Sequence, residues 1–519
     1  MLASGTIVSR ILGFLSAVVL ARTVGVIGSG ADAFALANQL PNNVYVIVAG
    51  GVLSAVLVPQ IVKAGLHADG GTSYVNRLVT LGIVLVVGIT IIATGLAPLL
   101  VRLYAQRGFT ESTIALATAF AWWCLPQILF YAIYSLVGEV LNARGVFGPF
   151  TWAPALNNIV AIAGMLWFGA VFTGDVANAS KWSPMSIAIL AGTATLGVAV
   201  QALVLFAFLG RAGIAFRLDF HFRGVGLGET TRLAAWTFGM ILVTQLAGIV
   251  QSNVASTATS FNEPGLAVLR FGWLVFMLPH SVITVSLGTA YFTRMATDVR
   301  DKRWDRLKGD VRESLVRVTL FMVLSSAVLW VTANYVSIVF ADRAVESGLG
   351  NVVALYSIGL VPFGIAFILQ RLFYALEDTR TPFLVQLAQT GIFCVGLAVV
   401  ATGPTHEIAN GIALWMSISS FVQAVLLAML LRRRLGSLGS RALGLSIARF
   451  AIAIAPVLAI GLLVRTALPS ADSIQAAIVC AAVVAGVMGV AYVGLLILLR
   501  DSTTRDFLAP LRGARNIRP

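Results

Sequence analysis

Residues 266–293 read LAVLRFGWLVFMLPHSVITVSLGTAYFT, a run of 28 residues with one charge, at Arg270, and one proline, at Pro279. A helix needs about 20 apolar residues to cross the hydrocarbon core of a bilayer, so this run is long enough to span it. Similar runs recur along a chain of 519 residues that is 59% hydrophobic and 11% charged. Soluble domains carry roughly 25% charged residues. The composition excludes soluble, disordered and disulfide-rich proteins and predicts an all-α polytopic membrane protein.

The chain contains about fourteen apolar segments of spanning length. The first is too long, and too poor in basic residues at its start, for a cleaved signal peptide. The predicted spans are about 5–25, 33–62, 78–103, 113–141, 149–172, 185–210, 232–257, 266–293, 314–340, 350–376, 382–401, 408–431, 445–467 and 473–499.

The basic residues predict the orientation of these spans. With the N-terminus in the cytoplasm, 26 of the 35 lysines and arginines fall in inside segments and 6 in outside loops. The remaining three, Arg10, Arg270 and Arg371, fall within spans. The positive-inside rule therefore places both termini in the cytoplasm. A net charge of +14 is explained by this topology, and no basic face with interleaved aromatics indicates nucleic-acid binding.

Two echoes indicate an internal repeat. Leu278-Pro279 is followed nine residues after the proline by Gly288, as Leu40-Pro41 is followed by Gly50. Residues 141–149 (LNARGVFGP) are echoed by residues 373–382 (FYALEDTRTP), each with a cation before a proline that opens the next span. Parallel repeats of six spans place a transporter's substrate site between the two halves. The predicted division is 1–212 and 230–434 for two six-helix lobes, 443–500 for two additional helices, and 501–519 for a cytoplasmic tail.

Prolines and polar residues inside spans mark candidate sites of bending and binding. Proline kinks suit a rocking mechanism but are also common in static bundles. Arg10, Arg270 and Arg371 either face a cavity or reach the headgroups, and Arg371 either contacts substrate or supports the loop at Asp378–Arg380. The span prolines are Pro41, Pro59, Pro126, Pro154, Pro279 and Pro362.

The remaining polar groups also have two interpretations each. Glu139, the only carboxylate well inside a span, is expected to pair with a cation such as Arg144. Asp32 is expected either to gate the outer mouth or to cap a helix. Amides such as Asn42 most often join helices by hydrogen bonding. The other amides of this kind are Asn157, Asn158, Gln245, Gln251 and Asn253.

Four stretches resemble the MurJ (MviN) family of lipid II flippases, within the multidrug/oligosaccharidyl-lipid/polysaccharide exporter superfamily. They occur in order through both six-span halves, and the two extra spans also agree with the family's fourteen. The most specific is residues 373–382, FYALEDTRTP. The others are residues 9–14 (SRILGF), residues 31–34 (ADAF) with 39–42 (QLPN) and 58–59 (VP), and residues 278–279 (LP) with 285–289 (VSLGT).

The resemblance implies two lobes in a V around a cationic cavity, with the last two spans forming a groove for a polyprenyl tail. The implied substrate is lipid II, the undecaprenyl-pyrophosphoryl disaccharide-pentapeptide precursor of peptidoglycan, moved from the inner to the outer leaflet by alternating access. The implied location is the bacterial cytoplasmic (inner) membrane. Implied partners are lipid II, membrane lipids and cell-wall synthesis proteins.

The chain departs from the family at three of four cavity arginines. Arg10 matches one, whereas Ser16, Tyr45 and Leu274 stand where the others are expected. Arg270 lies one helical turn from Leu274 on the same face and is the nearest candidate to supply the lost charge. We therefore predict substrate contacts at Arg10, Arg270, Asn42, Asp32 and Arg371, and gating or structural roles at Pro41, Pro279, Glu139, Asp378 and Arg380.

Other functions fit the sequence less well. A drug or cation antiporter of the same superfamily needs intramembrane carboxylates, which are scarce here, and a polysaccharide-lipid flippase is the closer alternative. A polyprenyl-handling membrane enzyme needs loop carboxylates for metal or acid–base chemistry, and the outside loops are short. The inside segment 294–313 is interpreted as a solvated charged loop. The dispersed histidines and cysteines predict no metal site, no cofactor and no enzyme activity.

Overall fold

The long apolar runs fold as α-helices, the one structure that satisfies every backbone donor and acceptor within a single segment in lipid. The computed structural model describes residues 2–50, 72–221, 232–341, 346–436 and 440–499. Within these residues the structure is helical and contains no strand. The chain divides into two compact units, residues 1–267 and 268–519.

The helices of the first unit follow the predicted spans, with two spans divided. Helices break at Leu96, ahead of Pro98, and at Leu125-Pro126, where the proline cannot supply the donor that a continuous helix needs. The helices are α1 (Leu2–Val24), α2 (Ser29–Val48), α3 (Thr72–Gly95), α4 (Ala97–Ala105), α5 (Glu111–Cys124), α6 (Gln127–Ala143), α7 (Gly148–Val171), α8 (Pro184–Leu203) and α9 (Arg232–Ser256).

In the first unit α7 packs between α1 and α8, and α2 packs against α5. A Cβ atom at Gly197 would lie 2.8 Å from the carbonyl oxygen of Asn157, so only glycine allows α7 and α8 to approach this closely. Asn253 confirms its predicted joining role: its Nδ2 donates to the carbonyl of Leu103, and its Oδ1 accepts the backbone N–H of Gln106 at 3.1 Å.

The second unit contains longer helices. Its helices are α10 (Leu266–Pro279, beginning in the last residues of the first unit), α11 (Val285–Arg300), α12 (Trp304–Phe340), α13 (Glu346–Ile358), α14 (Leu360–Ala375), α15 (Arg380–Val400), α16 (Ile408–Leu435), α17 (Ser440–Ala467) and α18 (Ile474–Leu498). The last two helices both pack against α12.

In the second unit the helices depart from regular α-helix near two of the predicted span prolines, Pro279 and Pro362. A π-helical turn, His280–Thr284, follows Pro279 and joins α10 to α11. Helices α13 and α14 meet at Gly359 with a bend of 45°, three residues before Pro362. Pro59 lies outside the described residues. The repeat partners Pro149 and Pro382 both stand in the first turn of a helix, α7 and α15, and superposition of the two halves stays a prediction.

The span count agrees with the sequence. Twelve helices among the described residues are long and apolar enough to cross a membrane, or thirteen if the bent pair α13–α14 is one span. The predicted span 33–62 begins in α2 and runs into residues outside the described part. One interpretation is wrong: residues 294–313 are not a loop, because α11 and α12 leave only residues 301–303 between them.

Candidate functional site

Arg10 lies half-buried on α1, which packs along α7. Next to it, Asn158 Nδ2 donates a hydrogen bond to the carbonyl oxygen of Ser9 at 3.2 Å. This contact confirms the joining role predicted for Asn158. It fixes the backbone of α1 at the residue before the arginine, so Arg10 is presented from a fixed position on the helix.

Polar side chains of α2, α6 and α8 are linked in the first unit by hydrogen bonds and by one ring contact. Gln127, which is 1% exposed, donates through Nε2 to Asn38 Oδ1 at 3.3 Å and to Thr195 Oγ1 at 3.0 Å. Its Oε1 accepts from the Tyr131 hydroxyl at 3.1 Å. The Tyr131 ring in turn lies against the Tyr45 ring, with centroids 5.7 Å apart. We call Asn38, Gln127, Tyr131 and Tyr45 the amide–hydroxyl chain.

The carboxylate of Glu139 lies near one end of this chain. Glu139 is half-buried on α6, within electrostatic range of Tyr45, and Ser135 of the same helix interacts with the Tyr45 hydroxyl. Arg144 follows directly after α6, and its pairing with Glu139 stays a prediction. Tyr45 thus stands where an arginine is expected, and its polar neighbours are uncharged groups and one carboxylate.

The residues after Pro41 divide into an exposed and a buried amide. Asn42 is exposed, whereas Asn43 is buried and donates from Nδ2 to the Tyr104 hydroxyl at 3.3 Å. Asn43, rather than the predicted Asn42, makes this contact between α2 and α4. The exposed side chain of Asn42 remains a candidate for contact with a ligand.

Asp32, on α2, is fully buried, with 0% of its surface exposed. Its Oδ2 accepts from the Thr259 hydroxyl at 2.5 Å, and its Oδ1 accepts the backbone N–H of Ala267 at 2.7 Å. Because Ala267 lies in the first turn of α10, the carboxylate satisfies a donor that the helix itself leaves unpaired. A Cβ atom at Gly265 would lie 2.5 Å from Oδ2, so the approach requires glycine there.

Arg270 and Leu274 lie half-buried on α10, four residues apart and therefore on one face. Beside them, Trp273 stacks on Phe276 with ring centroids 5.0 Å apart and meets the edges of Tyr356 and Phe363. These aromatic contacts tie α10 to α13 and α14 next to the arginine.

Arg371 lies against aromatic rings of the second unit. Its guanidinium carbon is 4.7 Å from the centroid of the Phe367 ring and 5.6 Å from that of Phe292. Such contacts are attractive for a cation, more so when water is excluded. The same Phe367 ring meets the edge of buried His280 at 5.2 Å, in the π-helical turn after Pro279.

The loop before α15 is held by a different arginine. Asp378 accepts the backbone N–H of Thr381 at 2.9 Å and the Thr381 hydroxyl at 2.8 Å, and Arg434 Nη1 donates to its Oδ2 at 2.6 Å. Burial alone would raise the pKa of the Asp378 carboxyl, but the hydrogen bonds and the arginine charge together hold that pKa below its ordinary value. Arg380, the first residue of α15, is exposed.

Comparison with known proteins identifies the family. Residues 20–475 match the family model described as lipid II flippase MurJ. The chain belongs to the MurJ family.

Curated relatives in the family are distant but cover most of the chain. A probable lipid II flippase MurJ of Rhizobium tropici is 24% identical over 445 residues, covering 83% of this chain and 79% of that protein. One from Synechocystis sp. is 26% identical over 457 residues, covering 85% and 83%.

Solved structures share the fold. A lipid II flippase MurJ in an inward closed conformation matches with a TM-score of 0.69 at 17% identity, covering 96% of this chain and 99% of that one. An inward-facing multidrug MATE transporter matches with a TM-score of 0.65 at 14% identity, covering 83% and 96%. At these sequence identities both matches show a shared fold and nothing further.

The structure adds two site features that sequence reasoning missed. The first is Gln127, which follows Pro126 inside a span. An amide inside a span usually has a hydrogen-bonded partner, and this was the signal that could have identified it. Arg434 stood in the run Arg432–Arg434, and only the fold shows that it, rather than Arg371, reaches Asp378.

Proposed function

We propose that this MurJ-family protein is a lipid II flippase that moves the precursor from the inner to the outer leaflet by alternating access. The observation that carries the proposal is the family match over residues 20–475, which covers both predicted six-span halves except for the first 19 residues. The two-unit helical architecture supports it, because a transporter of two halves can expose one site to each side in turn.

Arg10 and Arg270 are the proposed main cations for the pyrophosphate. Both are half-buried arginines within spans, where an arginine is costly unless it has a function or a partner. Arginine suits this task because its planar donors bind phosphate oxygens in pairs. Asn42 and Arg371 are proposed as further contacts of the substrate. Asp32 is proposed to act through its cap on α10.

The amide–hydroxyl chain is proposed to recognise the uncharged part of the headgroup. Its members can both donate and accept hydrogen bonds, as the hydroxyl and amide groups of a disaccharide-pentapeptide require. Tyr45 stands at one of the three expected arginine positions. At that position, hydrogen bonds from neutral groups take the place of the arginine's contact with the substrate. We propose that Glu139 orients Tyr45 within this chain.

We further propose that the protein lies in the bacterial cytoplasmic membrane with both termini in the cytoplasm, on the strength of its basic residues. Cell-wall synthesis proteins are its proposed partners. The protein is proposed to catalyse no covalent step.

Complementation tests the proposal against its alternatives. The chain is expressed in a bacterium depleted of its own lipid II flippase, and growth and cell shape are followed. Rescue is expected, and a matched strain lacking a polysaccharide-lipid flippase is expected not to be rescued. Rescue of the second strain alone, or drug efflux without rescue, would overturn the assignment.

A further inference from the structure

A pocket of about 910 Å³ lies in the second unit, away from the residues assigned to lipid II. It is formed by the end of α11, the beginning of α12 and the beginning of α17. Its uncharged polar lining includes Thr293, Thr297 and Ser446. Most of its lining residues belong to residues 294–313, the segment interpreted from the sequence as a charged loop.

The carboxylates of the pocket are already paired. Asp310 binds Arg294, with 2.5 Å between Oδ1 and Nη2, and Glu313 binds Arg317 one turn along α12. The third carboxylate pair joins Asp298 Oδ1 to Arg303 Nε at 3.1 Å.

Two cations of the pocket are left without a carboxylate. Arg306 and Arg312 line it and are exposed, and neither forms an ion pair within the part of the chain that the structure describes. The pocket therefore carries two positive charges that its own acids do not compensate, and it favours an anionic ligand.

The depth of the pocket indicates a lipid. Its lining residues lie at the ends of three predicted spans, 266–293, 314–340 and 445–467, which is the level of the headgroups. Trp304, exposed at the start of α12, is a residue type enriched at this interface. On α17, Leu445 and Ile447 flank the pocket residue Ser446 in sequence, and both are exposed and offer apolar contacts to an acyl chain.

We propose that this pocket binds the phosphate of an anionic phospholipid of the inner leaflet, a phosphatidylglycerol-type lipid. The placement in the inner leaflet rests on the proposed orientation of the termini. Arg306 and Arg312 bind the phosphate oxygens. The hydroxyls of Thr293 and Thr297 donate to backbone carbonyls, so their lone pairs are available to accept from the hydroxyls of a glycerol headgroup.

Gly309 offers a sharp test of this site. It lines the pocket on α12 three residues from each arginine, and a Cβ atom there meets nothing within 4 Å. Gly309→Glu places a carboxylate within reach of Arg306 and Arg312 and repels a phosphate. Gly309→Gln adds the same bulk without the charge. The second test is Arg306→Gln/Arg312→Gln, matched by Arg432→Gln/Arg433→Gln, which removes two exposed charges outside the pocket.

Lipid retention by the purified full chain is measured by native mass spectrometry, with added phosphatidylglycerol, phosphatidylethanolamine, lipid II or soluble glycerol phosphate. Gly309→Glu and the Arg306/Arg312 double variant are expected to lower bound phosphatidylglycerol about tenfold and to leave phosphatidylethanolamine unchanged. Gly309→Gln and the Arg432/Arg433 variant are expected to match the parent. If the Arg306/Arg312 double variant does not fold, Gly309→Glu still tests whether the pocket binds the phosphate.

Several results would overturn the proposal. Equal retention of phosphatidylglycerol by Gly309→Glu and Gly309→Gln would show that the pocket does not hold its phosphate. Binding of glycerol phosphate as strong as that of the lipid would assign a soluble anion instead. If Gly309→Glu lowers retention of added lipid II and not of phosphatidylglycerol, the occupant is the transport substrate.

Discussion

We propose that single arginines within spans recognise the substrate, and Arg10 is the one that the sequence predicts to occupy a family cavity position. An arginine on a transmembrane helix that faced lipid would be costly, so a functional partner is the natural explanation of its presence. Its position on α1 is fixed by the contact of Asn158 with Ser9.

Arg10→Ala is expected to lower flipping about ten- to hundredfold, because a hydrogen-bonded phosphate contact is lost. The measurement is complementation of a flippase-depleted strain, with membrane abundance determined in parallel. Arg22→Ala, an exposed arginine near the other end of the same helix, is the control and should complement normally. Full complementation by Arg10→Ala at normal abundance would remove Arg10 from the site.

Arg270 is expected to act from a displaced position. Arg270→Leu alone should lose most activity, whereas Arg270→Leu combined with Leu274→Arg should retain it, since the two residues lie one turn apart on one face of α10. Transport by the two variants, normalised to abundance, is the measurement. Full activity of Arg270→Leu would leave neutral groups as the only replacements for the missing arginines.

Gln127→Leu tests the amide–hydroxyl chain. The change removes the Gln127 donor from Asn38 Oδ1 and Thr195 Oγ1 and the acceptor of the Tyr131 hydroxyl. We expect a cost of about 1–3 kcal/mol. Gln389→Leu is a matched control, because Gln389 is also a buried amide, donating to Ser419 at 2.9 Å in the second unit. Both variants are expected to lower the thermal unfolding temperature. Only Gln127→Leu should also lower transport per molecule; equal transport by the two would make the chain structural.

Sequence alone located the arginines but not their neutral partners. Arg10 and Arg270 stand out because a charge in an apolar run is rare. Gln127 and Tyr131 do not stand out, since such residues also occur at lipid-water interfaces and inside bundles. Only the packing of α2 against α6 shows that they lie in one chain with Tyr45.

At the scale of elements, apolar length predicts most spans within a few residues, for example 408–431 within α16. Helix α12 is an exception, because it begins at Trp304, ten residues before the predicted span 314–340. The breaks at Leu96 and Leu125 were not predicted, because a hydropathy run stays apolar across a bend. Residues 294–313 are interpreted as a loop from their charges. In the structure they are helical, because charged residues that pair along a helix have the same composition as a solvated segment.

Asp378 stabilises the start of α15, and its titration should be visible. Its pKa is held below the ordinary value by hydrogen bonds and by Arg434. The stabilisation is therefore present above the ordinary pKa of about 3.9 and is lost as the pH falls through the lowered value. Asp378→Asn should cost about 0.5–1 kcal/mol at pH 7, after allowance for the partial exposure of Arg434.

The measurement is the thermal unfolding temperature of the detergent-solubilised protein at pH 7 and at pH 3. The difference between parent and Asp378→Asn should shrink at the lower pH. Glu377→Gln, a change at the neighbouring exposed acid, is the control and should have little effect at either pH. A difference that is the same at both values would show that the carboxylate charge does not stabilise the loop.

At the scale of the whole molecule, the protein is built from two helical units, and the last two helices, α17 and α18, pack on α12 within the second unit. The helical architecture follows from the sequence because apolar runs of spanning length mark the membrane helices, whereas the orientation and the six-span repeat stay predictions. The substrate does not follow from architecture alone, since MATE transporters share this fold.

Transport of lipid II across the membrane is tested most directly by the amount of lipid II on each leaflet before and after depletion of the protein. This amount is determined in spheroplasts with an externally added enzyme that cleaves exposed lipid II. After depletion we expect the cleavable fraction to fall while uncleaved lipid II accumulates on the inner leaflet, and we expect Arg10→Ala not to restore the cleavable fraction. An unchanged distribution after full depletion would show that the protein does not move lipid II.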